Sequence, residues 1–382
     1  MKHFFMTRPF VSILIITMFF SISLVAPRAV VNAQKVVMAH PTELPVSLFK
    51  GEKVFLMGGS GSTGFYRNIW SSAGNLNNWS TVAPNVPWLG NNFCAAYFNG
   101  KIFAVVPWFY GANNVNQVYS STNGVNWSLI QSSAPFSDRN SYSCAVYNNR
   151  IWLAGGQELN SLMYKNDVWS TGDGINWTES TSSAPWQARG EHNLVSFQNK
   201  LWILAGNTGS LNMLGDIWSS TDGANWTHVD TDSSNLGIQD APWQARMDTS
   251  VSVQNNKLWV MGGLGQSLSY LSDVWSSPDG LNWTHIDTDS TVSGIQDAPW
   301  TPRGYHQSMA FGGKLWVLGG NDAMGNFLND VWYSTNGINW TESTASAQWL
   351  GRFGHQVVVT PANFGHTVGN STYDTLDINA IQ

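Results

Sequence analysis

Charge is what this sequence has least of. Lys, Arg, Asp and Glu make up 11% of its 382 residues, against roughly 25% in an ordinary soluble domain. The shortage is no mark of disorder, because disordered chains are charged and poor in aromatics. Here 43% of residues are hydrophobic and 13% aromatic. Basic residues are the scarcer sign, 18 Lys and Arg against 24 Asp and Glu, so the basic face that supplies most nucleic-acid affinity is missing and no nucleic-acid partner is expected. Cysteine is nearly absent. Cys94 and Cys144 fall at near-equivalent places in successive repeats, where either a disulfide or two buried thiols would fit.

Long apolar runs are absent after the N-terminus. The one run, Val11 to Val25, is shorter than the roughly 20 residues of a membrane helix. It follows Lys2 and Arg8 and precedes the small-residue positions of Val31-Asn32-Ala33, the order of an export signal cleaved near Ala33. No Cys follows that would take a lipid anchor. Cleavage removes three basic residues and no acid, leaving 15 basic residues against 24 acidic ones, a net charge of −9. The expected product is secreted, periplasmic or extracellular, with no stable membrane span, and monomeric.

Against these shortages stand 21 Trp and 36 Gly. Asn-Trp recurs at Trp79, Trp127, Trp177, Trp226, Trp283 and Trp340, spaced by 48, 50, 49, 57 and 57 residues. Around each Trp lie four short β-branched and aromatic runs punctuated by Gly, which predict strands. In one unit they begin at His306, Lys314, Asp330 and Asn339. Asp173-Gly174, Asp222-Gly223, Asp279-Gly280, Asn123-Gly124 and Asn336-Gly337 stand between the third and fourth runs and predict tight primed hairpin turns. Four antiparallel strands in about 50 residues, repeated, predict an all-β fold, a β-propeller of four-stranded antiparallel blades. Six blades are expected, or seven with a degenerate last one. His355 to Thr360 either completes the first blade, beside or instead of Val46 to Phe49, or opens the seventh. The expected layout is a signal at 1–33, a lead-in at 34–44, the propeller at 45–360 and a closing segment or tail at 361–382. Four repeated slots hold 20 of the 21 Trp, leaving Trp108 outside. A buried Trp hides roughly 200 Å², about 5 kcal/mol before entropy is subtracted, so the tryptophans are expected to pack blade against blade.

Arg303, His306, Gly319-Gly320, Trp332 and Trp340 in one unit, with similar sets around Arg189, His192, Gly155-Gly156 and Gly262-Gly263, make the chain resemble the kelch-repeat propellers, the superfamily that includes galactose oxidase. The resemblance spans roughly residues 45–355. It departs from the pattern at Val105-Val106, where a double Gly belongs, and at Gly90-Asn91, where an Arg belongs. It implies a ligand on the face carrying the inter-blade segments and the loops after the double Gly. The loops at 60–68, 207–215 and 264–272 vary most there.

The inter-blade segments repeat a Trp and an Arg. Arg139, Arg189, Arg246, Arg303 and Arg352, with Trp186, Trp243, Trp300 and Trp349 three residues earlier, are the candidate ligand-binding residues. Guanidinium forks suit carboxylate or sulfate, and aromatics beside them suit an acidic glycan. The competing reading pairs these Arg with the recurring Asp167, Asp216, Asp273 and Asp330. Asp230, Asp232, Asp287 and Asp289 lie in a duplicated insertion with Asp-x-Asp spacing that could hold Ca²⁺. No cofactor is otherwise expected. Tyr305-His306 resembles the copper-ligand pair of galactose oxidase, but that chemistry also needs a Tyr crosslinked to Cys and another His on a separate loop. Neither Cys94 nor Cys144 is singled out for it, and copper is not expected. Glu191 and Asp248 could face the channel as acid and base. The expected function is binding of an extracellular glycan or protein. The alternatives are an enzyme acting on a sugar (a sialic-acid isomerase, or a glycan hydrolase or lyase) and a structural surface protein. Repeated Arg and Trp open to solvent would mark a binder, and non-repeated polar residues at the channel mouth would mark an enzyme.

Overall fold

Each repeat folds as an antiparallel sheet, and six such sheets close into a propeller. The computed structural model describes residues 51–365 except 89, 109–114, 230, 232–239 and 289–296. The expected signal, lead-in and most of the tail lie outside the described residues, as does Val46 to Phe49. The third blade shows the plan: Ser143–Tyr147 innermost, then Arg150–Ala154, Val168–Thr171 and Trp177–Thr181.

Closure settles the blade count. Gln356–Thr360 pairs with Lys53–Met57, with Lys53 opposite Thr360 and Met57 opposite Gln356. The end of the chain therefore supplies the innermost strand of the first blade, and the fold is a six-bladed propeller. The strand that could have opened a seventh blade is consumed in closing the first.

Why the second strands read as nearly continuous apolar runs follows from blade stacking. Successive side chains of a strand point to opposite faces, and here both faces meet a neighbouring blade. In Lys314–Leu318, Leu315 and Val317 join the cluster shared with the fifth blade, whereas Trp316 and Leu318 join the cluster shared with the first. Six such clusters occur, one per interface, and the repeated Trp residues populate them.

The two hairpins of a blade differ. The first is the primed two-residue turn: Asn148 and Asn149 both have positive φ, 45° and 57°, between the paired residues Tyr147 and Arg150. The second corrects the expectation from Asp-Gly. Thr171 pairs with Trp177, so the loop spans residues 172–176, and Gly174 alone has positive φ. Asp173 works through its side chain, accepting the Ile175 and Asn176 amides at 2.8 Å each. The Gly is required for a second reason. A Cβ on Gly223 would lie 1.9 Å from the Trp152 ring of the preceding blade, so the loop seats directly on that indole.

Cys94 and Cys144, which left two readings open, form a disulfide between the innermost strands of the second and third blades, their Cα atoms 5.9 Å apart.

Candidate ligand site at the channel mouth

The repeated Arg and Trp residues are not open to a ligand. Arg139, Arg189, Arg246, Arg303 and Arg352 are at most 1% exposed, and Trp186, Trp300 and Trp349 are equally buried, with Trp243 at 4%. Four Arg form bidentate pairs. Arg246 holds Asp273 through Nη1 and Nη2 at 2.7 Å each, Arg189 holds Asp216, Arg303 holds Asp330, and Arg139 holds Asp167. Arg246 also donates to the carbonyls of Gln244 and Gly262, and the Trp275 indole donates to Asp273 at 2.7 Å. These side chains tie each inter-blade segment to the Gly-Gly or Ala-Gly pair and the Asp of its blade, which corrects the expectation of a guanidinium ring at the channel mouth. Their partners consume the forks a carboxylate ligand would need. Arg352 departs from its peers. Asn68 replaces the Asp, Nη2 has no partner, and burial lowers the guanidinium to about 10.

The His in each slot is also architectural. His192, His306 and His355 are buried. Burial, and then the neighbouring Arg charge, lowers His192 and His306 to about 3 and His355 well below its usual value. A Cβ on Gly319 would lie 2.9 Å from the His355 ring, and one on Gly320 2.8 Å from the Cβ of His306. The double Gly is thus the gap into which the His of its own blade and of the next one fit. Tyr305-His306 accordingly separates into a packed His and a Tyr at the channel.

Two residues after each Arg position, the chain turns into the innermost strand through a left-handed residue. These are Asn92, Ser141, Glu191, Asp248, Tyr305 and Gly354, with φ between 51° and 61°. Each donates its amide to the carbonyl of its counterpart in the preceding blade, at 2.9 to 3.2 Å, and the ring closes from Asn92 to Gly354 and from Gly354 to Tyr305. The left-handed region is disfavoured for residues with a Cβ, and such residues concentrate at functional sites. All six line a cavity of about 240 Å³ at the channel mouth, which continues down past Asn193, Ser143, Ser250, Ser308 and Gln356.

The scaffold repeats around this collar and its side chains do not. Asp248 is 7% exposed and its Oδ2 has no hydrogen-bond partner. Burial raises its carboxyl well above the usual range, the Glu191 charge raises it further, and a hydrogen bond from Tyr305 opposes the shift. Burial also raises Glu191, while Asn207 donates to its Oε2 at 3.3 Å. The Asp248 charge, then burial, pushes the Tyr305 hydroxyl above its ordinary value. Tyr164 rises to about 12 through burial and the charges of Glu191 and Asp248. Asn321 donates to the Tyr270 hydroxyl at 2.8 Å, and Tyr305 packs edge-on against Phe353, which stacks on Phe327. Leu211, Leu268 and Met324 stand exposed on the surrounding loops.

Sequence reasoning reached Glu191 and Asp248 as a channel pair and noticed Tyr305 for another reason. It missed Tyr164, Tyr270, Asn207 and Asn321, although Asn207 and Asn321 share the slot after the small-residue pair that ends the second strand. Tyr164 and Tyr270 each stand three residues before the paired Asp, and each Asn donates to the Tyr of the preceding blade. The signal for the collar was the position two after the Arg, where residue type changes from unit to unit. Of the acidic insertions, Asp230, Asp232 and Asp289 lie outside the described residues. Asp240 and Asp297 pair with His228 and His285, at 3.2 Å each. Among the described residues, no group of three or more His, Cys, Asp or Glu could hold a metal ion. No helix among them is long and apolar enough to cross a membrane.

Residues 43–172 match a family described as the DUF6242 beta propeller domain. A stretch of 148 residues is 26% identical to the dynein alpha chain of the flagellar outer arm from Chlamydomonas reinhardtii, covering 37% of this chain and 3% of that one. The first match agrees with the observed architecture over the first blades. The second spans a small fraction of a much longer protein.

Proposed function

We propose that this is an exported kelch-like propeller that binds a polyhydroxylated extracellular ligand, a glycan, at its channel mouth. The observation that carries the reading is the non-repeated collar: five different polar side chains and one Gly in a slot the scaffold otherwise repeats. Repetition serves architecture, so a slot that keeps its backbone conformation and varies its side chain is free to serve recognition. Acceptors at Glu191 and Asp248, mixed donor and acceptor groups at Asn92, Ser141 and Tyr305, and nearby aromatic faces suit sugar hydroxyls and ring faces. A disulfide within the propeller is consistent with an oxidising compartment, as is the leader-like N-terminus.

The test is a glycan array probed with the wild-type protein and with Glu191→Gln and Tyr305→Phe. Binding lost in both variants, and retained in Lys101→Ala on the opposite face, supports the reading. A blank array, or binding indifferent to both variants, overturns it.

A second reading, an enzyme acting on the bound sugar, draws on the same pair of carboxyl groups. Two desolvated acids that resist joint ionisation offer one proton donor and one acceptor. Saturable conversion of a sugar, lost in Asp248→Asn, would establish it.

A further inference from the structure

With the four Arg–Asp pairs committed to the blades, the charge left at the axis is acidic. Asp248 is buried, lines the cavity and has an oxygen without a partner. Glu191 lines the same cavity. Among the described residues neither carboxyl group is paired with Lys or Arg. A buried carboxyl group in that position takes up either a proton or a cation. A hard divalent ion is poorly served, since Ca²⁺ takes 6–8 oxygen ligands and no third acidic ligand stands by. An ammonium group has only three protons to satisfy, and the aromatic surroundings favour a cation further. The cavity of about 240 Å³ is below the roughly 300–1,000 Å³ of sites that engulf a whole ligand, so it suits an inserted head group or a single ring.

We propose that the channel mouth takes the protonated amino group of an amino sugar, seated between the carboxyl groups of Asp248 and Glu191 and beside Tyr305. The assignment rests on the glycan reading above and names the sugar class. The Asp248 oxygen without a partner accepts from the ammonium, Glu191 shares the charge, and the collar hydroxyls and amides receive the ring hydroxyls. A neutral N-acetyl sugar of the same shape loses the charge-assisted bonds and adds an acetyl group that the cavity must house.

The experiment is calorimetric titration of the full chain with a β-1,4-linked glucosamine tetramer and with its fully N-acetylated counterpart. The free amine is expected to bind at least about tenfold tighter. Asp248→Asn and Glu191→Gln should each weaken binding of the free-amine tetramer by about tenfold or more, and by clearly more than they weaken binding of the neutral tetramer, so that most of the preference is lost. Near-ultraviolet circular dichroism of both variants shows whether the fold is retained. Binding of the neutral tetramer without preference for the amine overturns this assignment and leaves the glycan reading standing. Failure of both tetramers, on a protein that binds no other glycan, overturns both. A trilysine peptide that binds as tightly as the glucosamine tetramer overturns the choice of a sugar as the amine's carrier.

Discussion

The amide of Asp248 donates to the carbonyl of Glu191 at 3.2 Å, across the boundary between the fifth and fourth blades. Both residues are left-handed, at φ 54° and 57°. The link therefore sets two acidic side chains on neighbouring blades at the same height of the channel. Five more links of the same kind join the successive collar positions, so the axis is girdled by backbone and the side chains are left for the cavity. The collar also completes the hydrogen bonding of amides that would otherwise be buried without partners.

The collar carries a measurable strain. Left-handed backbone costs a residue with a Cβ roughly 1–2 kcal/mol, of which the extra unfolded-state freedom of Gly returns about 0.5–1 kcal/mol. Ser141→Gly is expected to stabilise the propeller by about 0.5–1 kcal/mol, read as a shift in urea midpoint at constant slope. A destabilised variant would mean that the Ser141 side chain contributes more than its backbone costs.

The buried Arg residues are expected to separate by partner. Arg246→Met leaves Asp273 buried without its fork and should cost about 3–5 kcal/mol. Arg352→Met leaves no carboxylate behind, because Asn68 stands there, and should cost about 1–3 kcal/mol for the lost carbonyl bonds. Chemical denaturation of the two variants side by side checks the order. Equal losses would show that packing of the alkyl stem, and not the ion pair, dominates.

Much of this architecture was legible because it is periodic. Arg189, Trp186, His192 and Gly206 recur in register with the strands they brace, and a repeated residue advertises a repeated environment. The partner of four of the five Arg could also be read, since an Asp recurs 27 or 28 residues after each of them. Burial of the Arg was not legible, because a fork that binds a ligand and one that binds an Asp have the same sequence. The collar escaped for the opposite reason. Its constant property is a backbone dihedral, which Tyr305, Ser141 and Gly354 adopt without a shared side chain. The second-hairpin turn type was misread because Asp173 caps amides with its carboxylate and does not itself adopt positive φ.

Reduction of the disulfide should be felt at the second and third blades. A crosslink closing 50 residues contributes about 4 kcal/mol in the chain-entropy account. Cys94→Ala with Cys144→Ala is expected to lose a comparable amount of stability. Thermal melts with and without reductant check it, and hydrogen exchange localises the change to Cys94–Phe98 and Ser143–Tyr147.

The three buried His residues predict loss of stability in acid. Their folded pKa values lie below the unfolded value of about 6.5, near 3 for His192 and His306. Between those limits the unfolded chain binds more protons, so stability rises with pH there and is fully present above about 6.5. Each His costs up to about 1.4 kcal/mol per pH unit within that window. His306→Phe should flatten the acid limb of a stability-versus-pH curve; an unchanged limb would place the acid sensitivity elsewhere.

Asp248 and Glu191 run in the opposite sense and set stability against recognition. Both carboxyl groups are raised in the folded state, so each contributes stability below its unfolded pKa that is lost as pH rises through the folded value. Tyr164, Tyr270 and Tyr305 face the pair and are raised in turn, so they remain protonated hydroxyls through neutral pH and bring no positive charge to relieve it. At pH 8 Asp248→Asn therefore removes a repulsion without opening a cavity, and it should melt higher than wild type. The gain should shrink toward pH 4, where the wild-type acids are protonated as well. A bound cation acts on the same repulsion, so an amine ligand should stabilise wild type more at pH 8 than at pH 5 and release protons on binding. Titrations in buffers of different ionisation enthalpy would read that release directly. A variant that melts lower at every pH would show that Asp248 holds the collar together, and that the acid at the axis serves the fold instead of a ligand.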